Sequence, residues 1–188
     1  LLECWYLGQE TGHAVADLLF GRANPGGKLP VTIARDPGQL PMYYNRKPST
    51  RRGYIDGVTT PLFRFAFGLS YPRFEIWAPR LTQARIGVGG STRVQVDVRN
   101  VGKLRGDEVV QLYIRDDISS VTRPLLELKG FQRVTLEPGE SRSISFDIKP
   151  SDLWFFNTDM KRVVEPGTFS IYVGPNSVDL KKATLTVA

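Results

Sequence analysis

The stretch from Trp5 to Thr32, WYLGQETGHAVADLLFGRANPGGKLPVT, decides how the first part of the chain folds. An apolar run before Gly8 predicts a short strand, and a helix is predicted to open at Gln9 or Glu10. The apolar positions of that helix follow helical spacing and are Ala14, Val15, Leu18 and Leu19. Gly21 ends the helix, turn residues follow, and residues 29–33 predict a second strand. Such a strand-helix-strand unit needs neighbouring strands to complete a sheet.

Residues 36–79 contain little periodic structure and are predicted to form a linker. Proline and glycine interrupt its first half repeatedly, and a loop of this length is usually functional or wrapped on a partner surface. We therefore divide the chain into a partial α/β unit at residues 1–35, this linker at residues 36–79 and a β domain at residues 80–188.

The β domain alternates between apolar and polar side chains with a period of two. The apolar members of its runs are Val94, Val96 and Val98; Val110, Leu112 and Ile114; Ile144, Phe146 and Ile148; Phe169, Ile171 and Val173; and Ala183, Leu185 and Val187. In the second run the alternate positions, Gln111, Tyr113 and Arg115, are predicted to form the polar face. About seven short strands over this length are typical of an immunoglobulin-like sandwich. The predicted fold class is mostly β, a sandwich preceded by a partial α/β segment.

Four stretches of the chain together resemble one known enzyme family. They are residues 5–32, residues 61–71 (PLFRFAFGLSY), residues 106–114 (GDEVVQLYI) and residues 128–134 (LKGFQRV). The first resembles the closing part of the second, α/β-sandwich domain of family 3 glycoside hydrolases. The next resembles the connection into the C-terminal domain, and the last two resemble paired strands of the fibronectin type III-like domain of these enzymes. The resemblance covers essentially the whole chain.

The resemblance implies that the parent protein is an exo-acting, retaining β-glycosidase, a β-xylosidase or β-glucosidase acting on plant-derived oligosaccharides. Retaining hydrolysis uses two carboxyl groups about 5 Å apart. In the family these are an Asp of the first domain and a Glu upstream of the segment that matches Trp5 to Thr32, and neither position exists in this sequence. No residue is therefore predicted to be catalytic, and no cofactor is expected. The chain is expected to be an inactive scaffold whose partners are the N-terminal catalytic part of the enzyme and, through it, the oligosaccharide.

Four residues are candidates for the rim of a substrate site: Gln9, Glu10, Tyr44 and Arg51. Gln9 and Glu10 lie after a predicted strand and at a helix start, where open α/β sheets place ligand loops. The competing interpretation is that Glu10 only favours the positive end of the helix dipole. Tyr44 and Arg51 belong to a polar loop that resembles the β-xylosidase-type branch of the family.

Aromatic residues are concentrated at the connection between the two units. They predict either a platform for sugar rings or a hydrophobic clamp between domains. The clamp requires burial of Trp5, Phe63, Phe65, Phe67 and Tyr71. Ala66 departs from the family resemblance, because relatives usually have Gly there and Ala avoids positive φ unless the backbone is strained.

Composition and charge exclude several classes of function. The net charge of +6 comes mostly from scattered residues without a recognition helix or RNA-binding signature, so nucleic acid is not an expected partner. No apolar run approaches the roughly 20 residues that span a bilayer, so no membrane contact is expected. The single histidine, His13, excludes a two-histidine zinc site, and no metal is expected. We interpret Leu1 as an internal residue of a longer polypeptide, for which a periplasmic or secreted location is the expectation.

Two other classes of function stay open, a non-catalytic carbohydrate-binding module and a pure interaction domain. A carbohydrate-binding module should expose coplanar aromatic rings on one face of the sandwich. Trp154, Phe155 and Phe156 are consecutive, so they cannot all share a face of a strand.

Overall fold

The computed structural model describes residues 1–48 and 57–188 of the chain. The helices of this part are two 3-10 helices, Gly8–Glu10 and Pro37–Gln39, and two α-helices, α1 (Thr11–Leu19) and α2 (Pro150–Leu153). The strands are β1 (Phe74–Ile76), β2 (Arg80–Leu81), β3 (Arg85–Ile86), β4 (Thr92–Asn100), β5 (Gly106–Asp116), β6 (Glu127–Leu136), β7 (Ser141–Ile148), β8 (Phe155–Phe156), β9 (Arg162–Val163), β10 (Gly167–Gly174) and β11 (Lys181–Val187).

The strands form two sheets and a separate hairpin. In one sheet β4 pairs antiparallel with β7 along most of its length, and with the short β1 and β2 towards its two ends. The other sheet has the order β3-β11-β10-β5-β6, and only the pairing of β3 with β11 is parallel. Strands β8 and β9 form the hairpin. The mostly β fold class is thereby confirmed.

The core lies between the two sheets and uses the apolar positions that the alternation predicts. Val94, Val96 and Val98 of β4 are fully buried, as are Ile171 of β10 and Leu185 of β11. They belong to one cluster with the apolar residues of β5 and β7. At roughly 25 cal/mol per Å² of apolar surface removed from water, this burial is the main stabilising contribution of the sandwich.

Strand β5 departs from the predicted pattern because it is buried on both faces. Gln111 and Tyr113, predicted for the polar face, are 3% and 0% exposed. The ring of Tyr44 from the linker lies edge-on to the Tyr113 ring, with the centroids 6.0 Å apart. The Gln111 side-chain amide donates a 3.0 Å hydrogen bond to the Pro175 carbonyl oxygen. The prediction of a solvated face is wrong here because the linker covers this part of the sheet.

The N-terminal segment differs from the prediction in its strands. Residues 1–7 form no strand, because no other described segment pairs with them. The helix begins at Thr11 after the 3-10 turn and is followed by Gly21, at φ +73°. The strand predicted at residues 29–33 is reduced to one bridge between Ile33 and Phe63, supported by a 2.9 Å hydrogen bond from the Leu29 N–H to the Phe67 carbonyl oxygen.

Two acidic side chains lie on the interior side of β5, one near each end of the strand. Glu108 and Asp116 are 7% and 8% exposed, exceptions to the solvated positions expected of acids. Burial raises the pKa of Asp116 to about 6; the charge of Arg123 opposes this, while Glu165 and Asp117 add to it. Neither Asp116 Oδ2 nor Arg123 Nη1 has a hydrogen-bond partner in the described structure. The ionised form of Asp116 is therefore poorly stabilised.

This environment predicts a pH-dependent gain of stability in Asp116→Asn. The folded pKa lies above the ordinary value of about 3.9, so the folded state binds the proton more tightly than the unfolded state. Its favourable contribution is fully present below the unfolded pKa of about 3.9 and is lost as the pH rises from there through about 6. The complete loss amounts to about 3 kcal/mol of folding free energy. Thermal unfolding of the 188-residue chain should give a higher Tm for the variant at about pH 7.5 and a matching Tm at about pH 3, below the unfolded pKa.

Asp97→Asn is the control, since the hydrogen bond from Arg80 is the main cause that lowers the pKa of Asp97. That substitution should not raise the Tm at about pH 7.5, and any loss should be small because the pair is exposed. A pH-independent effect of Asp116→Asn would contradict the assignment of an elevated pKa.

Candidate functional site

The region most relevant to function is the seam between residues 18–33, the linker and the sandwich. Lys28 reaches from the first segment to Glu108 of β5, with 2.7 Å between Nζ and Oε1. Their side chains are only 10% and 9% exposed. Removing two charges from water is costly, and their attraction offsets the cost only while both are present. The pair therefore ties the α/β segment to one end of the sandwich.

Close backbone approaches and hydrogen bonds complete this seam. A Cβ atom at Gly68 would overlap with the Gly27 carbonyl oxygen, and one at Gly106 would overlap with the Pro72 ring. The Ser70 hydroxyl donates a 3.0 Å hydrogen bond to the Pro25 carbonyl oxygen. The Tyr71 hydroxyl donates to the Leu18 carbonyl oxygen at the end of α1. Gly68 and Gly106 thus permit the close approach of the two segments to their neighbours, and the hydrogen bonds of Ser70 and Tyr71 then fix the contact.

The aromatic clamp is present in part. The rings of Tyr44 and Phe65 stack with centroids 4.1 Å apart and planes 14° apart. Phe63 and Phe67 stack at 5.4 Å. The prediction of burial is wrong for Trp5 and Tyr71, which are 57% and 48% exposed. Trp5 lies in the unpaired segment before α1, and the Tyr71 ring reaches out along the surface to α1, so neither is enclosed.

Ala66 adopts a left-handed backbone conformation. It has φ 62° and is 3% exposed. Its N–H donates a 2.8 Å hydrogen bond to the Leu29 carbonyl oxygen. A left-handed conformation costs an L-residue about 1–2 kcal/mol, so the surrounding contacts hold Ala66 in a conformation that Gly adopts freely.

Of the four candidate rim residues, Gln9, Glu10 and Tyr44 lie in the described part of the chain, and their contacts differ. Gln9 and Glu10 are exposed in the turn after Gly8, and Glu10 Oε2 lies 2.7 Å from Nδ1 of His13. Tyr44 contacts the linker and the sandwich instead, since its hydroxyl accepts a 3.3 Å hydrogen bond from the Leu128 N–H. Arg51 lies outside the described residues. No contact of the described residues joins Gln9 or Glu10 to Tyr44, so a role for them at a substrate rim stays a prediction.

A groove of about 690 Å³ opens beside the clamp. It is lined by Thr32, Pro41, Met42, Tyr43, Tyr44, Arg46, Thr59, Thr60, Pro61, Arg64, Phe65, Ser177 and Val178. Neither this groove nor the Lys28–Glu108 pair is predicted from the sequence, because both depend on contacts between segments far apart in the chain. A lysine in a glycine-rich turn and an acid in an otherwise apolar strand were the available signals for the pair.

Residues 1–48 and 57–188 contain neither a metal-binding cluster nor a helix able to span a membrane. No group of three or more His, Cys, Asp or Glu side chains there is arranged to hold a metal ion. None of the helices in this part has the length and apolar character needed to cross a membrane.

Two family descriptions match the chain, one at the segment before the sandwich and one within the sandwich. Residues 1–71 match "Glycosyl hydrolase family 3 C-terminal domain", and residues 108–177 match "Fibronectin type III-like domain". The fold therefore combines, at the start of this chain, the end of an α/β domain with a fibronectin type III-like sandwich that follows it. The chain belongs to glycoside hydrolase family 3.

Individual relatives agree with this assignment along the whole chain. A β-xylosidase from Formosa agariphila is 49% identical over 100% of this chain and 27% of its own length. A periplasmic β-glucosidase from Salmonella typhimurium is 39% identical over 98% of this chain and 26% of its own length. The crystal structure of a β-glucosidase from Listeria innocua in complex with glucose superposes with a TM-score of 0.94 at 33% identity, over 99% of this chain and 27% of that one. The chain thus spans about a quarter of the length of these relatives.

We expect Lys28→Met to destabilise the protein strongly, because Glu108 would stay buried without its cation. Breaking one side of a buried pair typically costs about 3–5 kcal/mol. The double substitution Lys28→Met with Glu108→Leu should recover most of that loss, since no isolated charge remains. Urea unfolding of the three proteins measures the effect. As a control, Arg93→Met breaks the exposed Arg93–Asp147 pair and should leave the midpoint nearly unchanged. Equal midpoints for Lys28→Met and the parent chain would contradict a structural role for the pair.

Tyr44 provides a second test, of the linker's attachment to the sandwich. Tyr44→Phe removes only the acceptor of the Leu128 N–H and should cost about 1 kcal/mol or less. Tyr44→Ala also removes the stacked ring and uncovers Tyr113, so we expect a loss of about 2–4 kcal/mol. Amide exchange at Leu128 should accelerate in both variants. Tyr43, which is 64% exposed, supplies the control, since Tyr43→Ala should alter neither quantity appreciably.

Proposed function

We propose that this chain is the C-terminal portion of an exo-acting, retaining β-glycosidase, either a β-xylosidase or a β-glucosidase. The observation that carries the proposal is the similarity, along the whole of this chain, to about a quarter of the length of enzymes of both names, with both family descriptions in the same chain. The substrates would be plant-derived oligosaccharides. Within the enzyme we assign residues 1–35 to the end of the α/β-sandwich domain, residues 36–79 to the linker and residues 80–188 to the fibronectin type III-like domain.

The chain's own role in this proposal is that of a scaffold without the catalytic carboxyl pair. Its partner is the N-terminal catalytic part of the enzyme, and one surface supports such a contact. Near the start of the chain and along α1, large apolar side chains are exposed: Leu1, Leu2, Trp5, Tyr6, Leu7, Leu19 and Phe20. Soluble proteins rarely leave a patch of this kind open to water. Neighbouring strands of a complete α/β domain would cover it.

The proposal extends to the residues at the rim of the substrate site and to the cellular location of the enzyme. Gln9 and Glu10 lie in an exposed turn next to that apolar surface, from which they would reach the edge of a site built by the catalytic part. Tyr44 would act by holding the linker, since one face of its ring is occupied by Phe65. A periplasmic or secreted location is favoured by the similarity to a periplasmic β-glucosidase.

The alternative of a carbohydrate-binding module has weaker support. Trp154 and Phe156 share one side of the β8 region, while Phe155 is buried. Their rings stand at 87° to each other with centroids 5.3 Å apart, and the Arg162 guanidinium carbon lies 4.5 Å from the centroid of the Trp154 ring. Perpendicular rings do not form the flat platform that stacking along a sugar chain requires.

The test is hydrolysis of 4-nitrophenyl β-xyloside and β-glucoside. We expect no turnover by the 188-residue chain above a heat-treated control, because the paired carboxyl groups of a retaining glycosidase are assigned outside it. The full-length polypeptide that contains the chain should release nitrophenol from at least one substrate, with retention of the anomeric configuration. Turnover by the isolated chain, or an inactive full-length protein that is folded, would overturn the proposal.

A further inference from the structure

The groove beside the clamp combines sugar-compatible surfaces with two arginine side chains, Arg46 and Arg64. Its volume of about 690 Å³ lies within the range of small-molecule sites. Tyr43 exposes 64% of its surface there, and Thr32, Thr59 and Thr60 add hydroxyl groups to the lining. Aromatic faces and hydroxyl groups suit the C–H faces and hydroxyl groups of a pyranose.

Among the described residues that line the groove, Arg46 and Arg64 carry the charge and none is acidic. Neither guanidinium has a hydrogen bond or ion pair with any described residue. Arginines elsewhere on the surface are paired differently, for example Arg80 with Asp97 and Arg93 with Asp147, both at 2.7 Å. Within residues 1–48 and 57–188, the groove therefore offers two planar guanidinium donors that have no acidic partner on one concave surface.

Both arginines are placed by an ordered backbone. The Arg46 carbonyl oxygen accepts a 2.9 Å hydrogen bond from the Leu125 N–H of the sandwich. The carbonyl oxygen of Phe65, next to Arg64, accepts a 3.1 Å hydrogen bond from the Ser177 hydroxyl. The stacked rings of Tyr44 and Phe65 lie between these two anchors. A ligand would thus meet donors whose main-chain positions are already fixed, which reduces the entropy lost on binding.

We propose that this groove binds a carboxylated carbohydrate, namely the uronic acid unit of an oligosaccharide. A guanidinium binds a carboxylate through two parallel N–H···O hydrogen bonds, while Tyr43 and the threonines contact the sugar ring. The carbohydrate part of this inference rests on the proposed function, whereas the carboxylate part rests on the two arginines. The groove is a binding site and takes no part in bond cleavage.

The test is calorimetric titration of the 188-residue chain with two probes, xylotriose and xylotriose that carries one glucuronic acid branch. The acidic probe should bind more tightly at low salt, and the difference should shrink as salt is raised. Arg46→Gln and Arg64→Gln should each weaken the acidic probe about fivefold, the effect expected for an exposed charge-assisted contact. Binding of xylotriose should be unchanged by either substitution.

Arg99→Gln is the matched control, because Arg99 is exposed on β4 and likewise has no ion pair with a described residue. It should leave both affinities unchanged. Arg46→Lys separates charge from geometry, since it keeps the charge and removes the paired donors; it should retain only part of the preference. The Tm of each variant confirms folding, and if Arg46→Gln does not fold, Arg64→Gln carries the test.

Three results would overturn the proposal. Equal affinity for both probes would show that the groove does not recognise the carboxylate. Displacement of the acidic probe by sulfate at similar concentration would show that the groove binds anions without selectivity. Binding to the 188-residue chain that disappears in the full-length protein would make the groove an interdomain contact. None of these depends on hydrolysis, so failure here is distinguishable from failure of the proposed glycosidase activity.

Discussion

Burial of the outward-facing Tyr113 ring is the constraint on which much of the structure depends. A tyrosine on the outer face of a sheet is ordinarily half in water, yet this one is 0% exposed. Burial raises the pKa of its hydroxyl, which donates to the Gln111 side-chain oxygen. Tyr44 supplies part of the cover, and Phe65 stacks on Tyr44. The linker is therefore part of the packed structure of the sandwich.

The linker's attachment explains why the α/β segment meets the sandwich in one arrangement. Phe65 is held to the turn after β10 through Ser177, and the residues beside it pair with Leu29 and Ile33. The same strip of chain thus contacts both units. Lys28 then reaches the buried side chain of Glu108 near the start of β5. A buried ion pair tolerates little displacement, because separation would leave two charges without water or partner.

The sequence was sufficient for features that depend on local spacing and was insufficient for those that depend on distant contacts. The alternation in β4 identified Val94, Val96 and Val98 correctly because one face of that strand meets the core. The same rule failed at Gln111 and Tyr113, where a segment from another part of the chain covers the second face. Residues 1–7 have the composition of a strand, but a strand also needs a neighbour with which to pair. For the rim, the sequence supplied Gln9, Glu10, Tyr44 and Arg51 as candidates, and whether they meet depends on tertiary contacts that no local pattern encodes.

The two acids of β5 show how the same chemistry has different consequences at the two ends of one strand. Glu108 is matched by Lys28 at 2.7 Å, a contact that only the folded α/β segment supplies. Asp116 has Arg123 nearby, but Arg123 is already engaged by Glu127 at 2.8 Å and lies over the ring of Phe155. A cation shared in this way lowers the pKa of Asp116 too little to offset burial. One end of the sandwich is therefore closed by a charge from the neighbouring segment, while the other keeps an incompletely neutralised carboxyl group. The Lys28–Glu108 pair therefore ties the α/β segment to the sandwich at the Glu108 end of β5.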